Sequence, residues 1–140
     1  RTLIEWAEAA GALVLTGRAV PGTSPTPYRP LSEAFLALSR RGVRPEGADL
    51  FGFAGAIGRL VPDWRTENTA GADESPLVVG EAVVRLVRTL APAAGCLFVL
   101  EDLHWADDAT AAVIEHLTDA LAGERVLCLA TLRSEPDADE

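Results

Sequence analysis

Leu97–Thr110 reads LFVLEDLHWADDAT, and its opening decides the fold. Cys96–Leu100 is an unbroken apolar run that stops at Glu101–Asp102. A strand with one wet face alternates apolar and polar residues, whereas a run without alternation suits a strand covered on both faces, as in a parallel sheet. Parallel neighbours cannot be joined by a tight hairpin and need a crossover, usually a helix. The next residues supply one. Asp107 is placed to cap a helix over Asp108–Leu121, whose stripe is Val113, Ile114, Leu117 and Leu121, and Gly123 stops it.

The pattern repeats outward from that stretch. Downstream, Val126–Leu132 reads as a third buried strand ending at Arg133, followed by an acidic tail over 134–140. Upstream, residues 2–10 carry a stripe of Leu3, Trp6, Ala7 and Ala10 that Gly11 terminates, and Ala12–Thr16 reads as a buried strand closed by Gly17. Four prolines make residues 21–30 a loop. Helices are expected over Leu31–Ser39, over Ala48–Val61 (weakened by Gly52, Gly55 and Gly58 and ended by Pro62) and over Leu77–Leu90, with a polar loop at 65–76. The order helix, strand, helices, strand, helix, strand predicts one α/β layer fold with a parallel sheet.

Composition narrows the function. With 140 residues, 49% of them hydrophobic, and a mean hydropathy of +0.17, the chain can bury a core and is not a disordered segment. The apolar runs are too short to span a bilayer. A net charge of −9 with scattered basic residues argues against nucleic-acid binding by this piece itself. All twelve basic residues are arginine, so the chain contains no lysine. Cys96 and Cys128 each sit in an apolar run with no C-x-x-C spacing, as small core residues of a reducing compartment do.

The chemistry concentrates at Glu101 and Asp102. Paired carboxylates at the carboxyl end of a parallel strand lie where open α/β sheets bind ligands. One can hold Mg²⁺, largely through water, and the other can orient or deprotonate a water for attack on a phosphate. The same two residues could instead mark a strand-to-helix turn. His104 reads as a packed polar residue within that turn, and Trp105 as its buried anchor.

The string EDLHWADDAT resembles the Walker B region of the ATPase domains of large LuxR-type transcriptional regulators, which belong to the STAND class of AAA+-related P-loop ATPases. GALVLTGRA (Gly11–Ala19), PTPYRPLSEAF (Pro25–Phe35) and LCLATLRSE (Leu127–Glu135) are similar, in order and spacing, to further stretches of that domain. The likeness spans nearly the whole chain. It implies a three-layer P-loop NTPase-like sheet of which residues 1–140 supply part. In the AAA+ strand order 5-1-4-3-2, the strands here would be 2, 3 and 4, mutual neighbours, with Val126–Leu132 left as a naked edge. It further implies that Glu101 is the metal-site carboxylate, that Asp102 is the adjacent catalytic acid and shares the metal, and that Arg133 is a sensor reaching the terminal phosphate, with Thr131 beside it. ATP and Mg²⁺ are the implied cofactors. The implied setting is the cytoplasm, with no membrane. The implied partners are the protein's own downstream domains or further copies, with DNA reached only through a separate output domain.

One departure bears on activity. The phosphate-binding signature G-x-x-x-x-G-K-[ST] is missing, and GFAGAIG (Gly52–Gly58) follows no strand and reads as a small-residue packing face. The resemblance places the missing loop just before Arg1, so the chain is expected to begin after it and to bind ATP weakly by itself. Glu101 also stands where many P-loop ATPases have Asp. Two other readings stay open at this point. One is a metal-dependent hydrolase using Glu101, Asp102, His104, Asp107 and Asp108. The other is a non-catalytic remnant serving as a scaffold. An ATPase module of a cyclase or kinase fusion is a variant of the first assignment.

Overall fold

Three strands, β1 (Leu13–Arg18), β2 (Cys96–Glu101) and β3 (Val126–Ala130), make one parallel sheet with β2 in the middle. They belong to a computed structural model that describes residues 2–22, 27–66 and 75–134. Among the described residues, five α-helices accompany them: α1 (Thr2–Ala9), α2 (Arg29–Arg40), α3 (Ala54–Leu60), α4 (Pro76–Leu90) and α5 (Asp108–Ala120). This is the partial P-loop NTPase-like α/β architecture expected, with the three strands adjacent in the expected order.

Register sorts the side chains into two faces. Leu15, Phe98 and Cys128 stand opposite one another across the sheet, and Thr16, Val99 and Leu129 form the next row. Successive residues of a strand point to opposite faces, so these rows lie on different sides. The inner face, carrying Leu15 and Phe98, joins one hydrophobic cluster with α2, α3, α4 and α5. Phe35 from α2 meets Phe98 edge-on at 6.0 Å and Trp64 at 6.1 Å, contacts that aromatic rings favour. The α4–α5 seam is pinned at its rim by Arg88 to Glu124 at 2.7 Å and by His116 to Glu81 at 2.8 Å.

The outer face is different. α1 has no buried residue, and with Leu97 and Leu127 it lines an open groove. Leu127 is 54% exposed and Leu129 41%. Val126–Leu132 is therefore not the fully buried strand its sequence suggests. It ends at Ala130, and only Val126 and Cys128 pack against the core. Its uncovered state does agree with the edge position implied by the resemblance.

Other expectations shift for local reasons. The helix expected over Ala48–Val61 is interrupted because Gly52 adopts φ 90°, a conformation that leaves a short 3₁₀ turn before it and α3 after it. Within α3, Ala56, Ile57 and Gly58 are buried, in keeping with a packing face. Gly17 does not close β1 but lies within it, where a side-chain Cβ would run into the Pro30 carbonyl. That close approach seats the start of α2 against the sheet. Most of the loop expected at 65–76, part of the proline-rich loop and nearly all of the acidic tail fall outside the described residues. No described helix is long and apolar enough to cross a membrane.

Candidate functional site

Glu101 is the last residue of β2, at the carboxyl end of the middle strand. The chain then turns sharply. Asp102 takes φ 57°, ψ 41°, a left-handed conformation that Asp tolerates better than most residues. A 3₁₀ turn follows over Leu103–Trp105. Both carboxylates stay partly open to solvent at this mouth, rather than turning into the core.

Beyond Ala130 the chain runs on from β3 and stitches itself to this turn. Thr131 N–H donates to the Leu100 carbonyl at 2.9 Å, and Leu103 N–H donates to the Thr131 carbonyl at 3.0 Å. The Thr131 hydroxyl accepts the Asp102 N–H at 3.0 Å. Two residues on, Arg133 N–H donates to His104 Nδ1 at 3.1 Å. That bond makes Nδ1 the acceptor, so the neutral ring carries its proton on Nε2. Thr131 thus lies beside Asp102, while Arg133 is tied through its backbone to His104, two residues beyond the acids. Arg133 itself is exposed.

A residue that the sequence reading missed completes the cluster. Arg18, the last residue of β1, is the register partner of Glu101. Its Nη2 lies 3.0 Å from Glu101 Oε2 and its Nε 3.5 Å from Asp102 Oδ2. Aligning the ends of the two strands would have found it, since an arginine closing one strand then falls beside an acid closing its neighbour.

The remaining candidates separate into structural roles. Asp107 caps α5, accepting from Thr110 N–H at 3.4 Å and from the Thr110 hydroxyl. Thr110, fully buried, in turn accepts the Tyr28 N–H at 3.1 Å and so ties the loop after β1 to the start of α5. His104 is half-buried within its turn, as expected. Trp105 is not the buried anchor it was expected to be. It is 44% exposed, with its ring 5.1 Å from that of His104, because the turn points it away from the core. Among the described residues, no group of three or more His, Cys, Asp or Glu side chains is placed to hold a metal. That removes the ready-made cage a metal-dependent hydrolase would want. A pair of adjacent carboxylates does suit Mg²⁺, a hard cation that accepts one or two of them and keeps its waters. The guanidinium already drawn to both oxygens shows that the pair favours a cation. The phosphate-cradling side has no such counterpart, because the chain has neither a lysine nor the glycine-rich signature.

The family model described as AAA ATPase domain matches residues 1–129. The chain therefore belongs to the AAA ATPase domain family and is a nucleotide-binding ATPase module. No curated protein and no solved structure matches it.

Proposed function

We propose that this AAA ATPase domain is the ATP-responsive switch of a LuxR-type transcriptional regulator of the STAND class, and that Glu101, Asp102, Thr131 and Arg133 form the end of its site that meets the terminal phosphate. The observation that carries the reading is the pair of acids at the carboxyl end of the middle strand, with the end of β3 hydrogen-bonded alongside. In this reading the phosphate-binding loop belongs to the parent polypeptide upstream of Arg1, and the output domain that contacts DNA lies downstream. Assembly with those domains or with further copies, in the cytoplasm, would relay the state of the site.

Glu101, with Asp102, would hold Mg²⁺, which when bound with the nucleotide neutralises phosphate charge. Asp102 is the better placed of the two to take a proton from water, because the left-handed turn lifts it out of the strand. The Thr131 hydroxyl holds the Asp102 backbone and so keeps that acid in position. Arg133 supplies a permanently charged fork that matches phosphate oxygens. Nucleotide bound at this seam between β2 and β3 would clamp the strand ends together, and its loss would release them.

The test is ATP turnover by the parent polypeptide with Asp102→Asn. The expected result is a loss of roughly 10²-fold in kcat with ATP affinity little changed, the signature of a lost general base. Turnover that is unchanged in Asp102→Asn would overturn the assignment. A parent that neither binds nor hydrolyses ATP would favour the scaffold reading.

A further inference from the structure

Glu101 and Asp102 share the mouth of the sheet with a cation belonging to the fold itself. Arg18 and Glu101 are register partners, so their side chains leave adjacent strands at the same level and toward the same face. The Ala19 N–H donates to the Glu101 carbonyl at 3.0 Å and holds the end of β1 against the backbone of the acid. From that anchorage one guanidinium reaches both carboxylates, 3.0 Å from Glu101 and 3.5 Å from Asp102. We propose that Arg18 is a built-in counter-ion of the acidic pair, which occupies the cation position in the metal-free domain and competes with a divalent cation for the same oxygens. The proposal rests on the reading of Glu101 and Asp102 as metal-side acids.

The physical argument begins with repulsion. Two carboxylates on neighbouring residues raise each other's energy, and a positive charge between them relieves it. An arginine fork suits this task, since its separate N–H groups can address two acceptors at once. A divalent cation would relieve the repulsion more strongly, but it cannot lie against those oxygens while the guanidinium does. The contact is also of a kind that yields. The Arg18 side chain is 56% exposed, and ion pairs in water are weakly held. Arg18 would therefore set the metal concentration at which the site fills, without abolishing binding. No step of the hydrolysis needs Arg18, so it is a positioning residue in this role and not a catalytic one.

The experiment uses Mn²⁺ alone as the probe, titrated into the 140-residue chain and followed by electron paramagnetic resonance, with circular dichroism to check each variant. Arg18→Gln removes the competitor and is expected to tighten Mn²⁺ binding about two- to fivefold, the scale set by exposed ion pairs. Arg18→Lys keeps the charge but offers a single point donor in place of a fork. Its Mn²⁺ affinity is expected to fall nearer that of the Gln variant than that of the unaltered chain. Unchanged affinity in Arg18→Gln overturns the proposal. So does unaltered affinity in Arg18→Lys, which would mean that Arg18 acts only through a diffuse field. Glu101→Gln separates this from the underlying assignment, because it should weaken Mn²⁺ binding whatever occupies position 18. If it does not, the metal-side reading of the acids fails.

Discussion

The two faces of the sheet are built from equally apolar strands and are covered to different extents, a difference that shows at the edge strand. On the inner face, Leu15 and Phe98 are sealed beneath α2, α4 and α5. On the outer face, Val99 of the middle strand is buried but Leu129 of the edge strand is 41% exposed, and α1, which borders the groove there, buries none of its own residues. Arg18 and Glu101 share the parity of that outer row. The difference teaches that stability and chemistry are kept apart. One face is invested in packing, whereas the other carries the site at its upper end and is joined by a few individual bonds.

The sharpest way to break this comparison is to cut one apolar side chain from the packed face of the middle strand and one from the open face of the edge strand. Phe98→Ala deletes a fully buried ring that packs against Phe35 and should lower stability by about 3–5 kcal/mol in urea denaturation, enough to threaten folding. Leu129→Ala removes a side chain already in partial contact with water and should cost less than ~1 kcal/mol. Similar losses for the two would mean that the outer face is packed as firmly as the inner one.

This asymmetry also marks the limit of what the amino-acid sequence makes legible. The parallel sheet was legible, because Cys96–Leu100 has no alternation and Asp107 stands where a cap belongs. The stops at Gly11 and Gly123 were legible too, since both adopt the positive φ that glycine accepts cheaply. Hydrophobicity alone, however, records what a strand could bury and not what lies over it. Val126–Leu132 therefore looked buried while Leu127 and Leu129 face outward. The acids of the site were visible as an abrupt end to an apolar run. Arg18 was not, because an isolated arginine at a strand end looks the same as a solvated one until register places it beside Glu101. The link from His104 to Arg133 depends on a turn and a strand extension that no local pattern encodes.

A second test uses the two thiols, which both belong to inner-face rows. Burial pushes the Cys96 thiol up from its ordinary 9.0 to about 12, with a smaller contribution from the neighbouring Cys128. Burial also raises Cys128, to a lesser degree of enclosure in the structure. The folded state thus keeps Cys96 neutral at pH values where the unfolded chain ionises it. The unfolded state binds fewer protons in that window, so stability should be unaffected by this group below pH 9 and should fall as pH rises from about 9 toward 12. Cys96→Ala should flatten that alkaline decline. At pH 8, alkylation of Cys96 should be slow and should accelerate on adding urea, whereas equal rates in native and denatured chains would mean that the inner face opens readily.

The smallest effect concerns the seam that joins the site to the outer strand. Thr131→Val keeps the shape of the side chain but removes the oxygen that accepts the Asp102 N–H at 3.0 Å. Because the group lies near solvent, water can replace much of the lost bond, and the global cost should be only about 0.5–1.5 kcal/mol. The local consequence should be clearer than the global one. The left-handed turn at Asp102 is held from β3 by this bond and by the neighbouring bond from Leu103 N–H to the Thr131 carbonyl. Losing the first removes the one bond from the β3 extension to the Asp102 amide itself and leaves the flanking bonds at Leu100, Leu103 and His104. Hydrogen exchange at the Asp102 amide should therefore speed up markedly while amides within β2 below it, such as Phe98, keep their protection. Uniform acceleration along β2 would show that the site and the packed face open as one unit, and the division between them would be wrong.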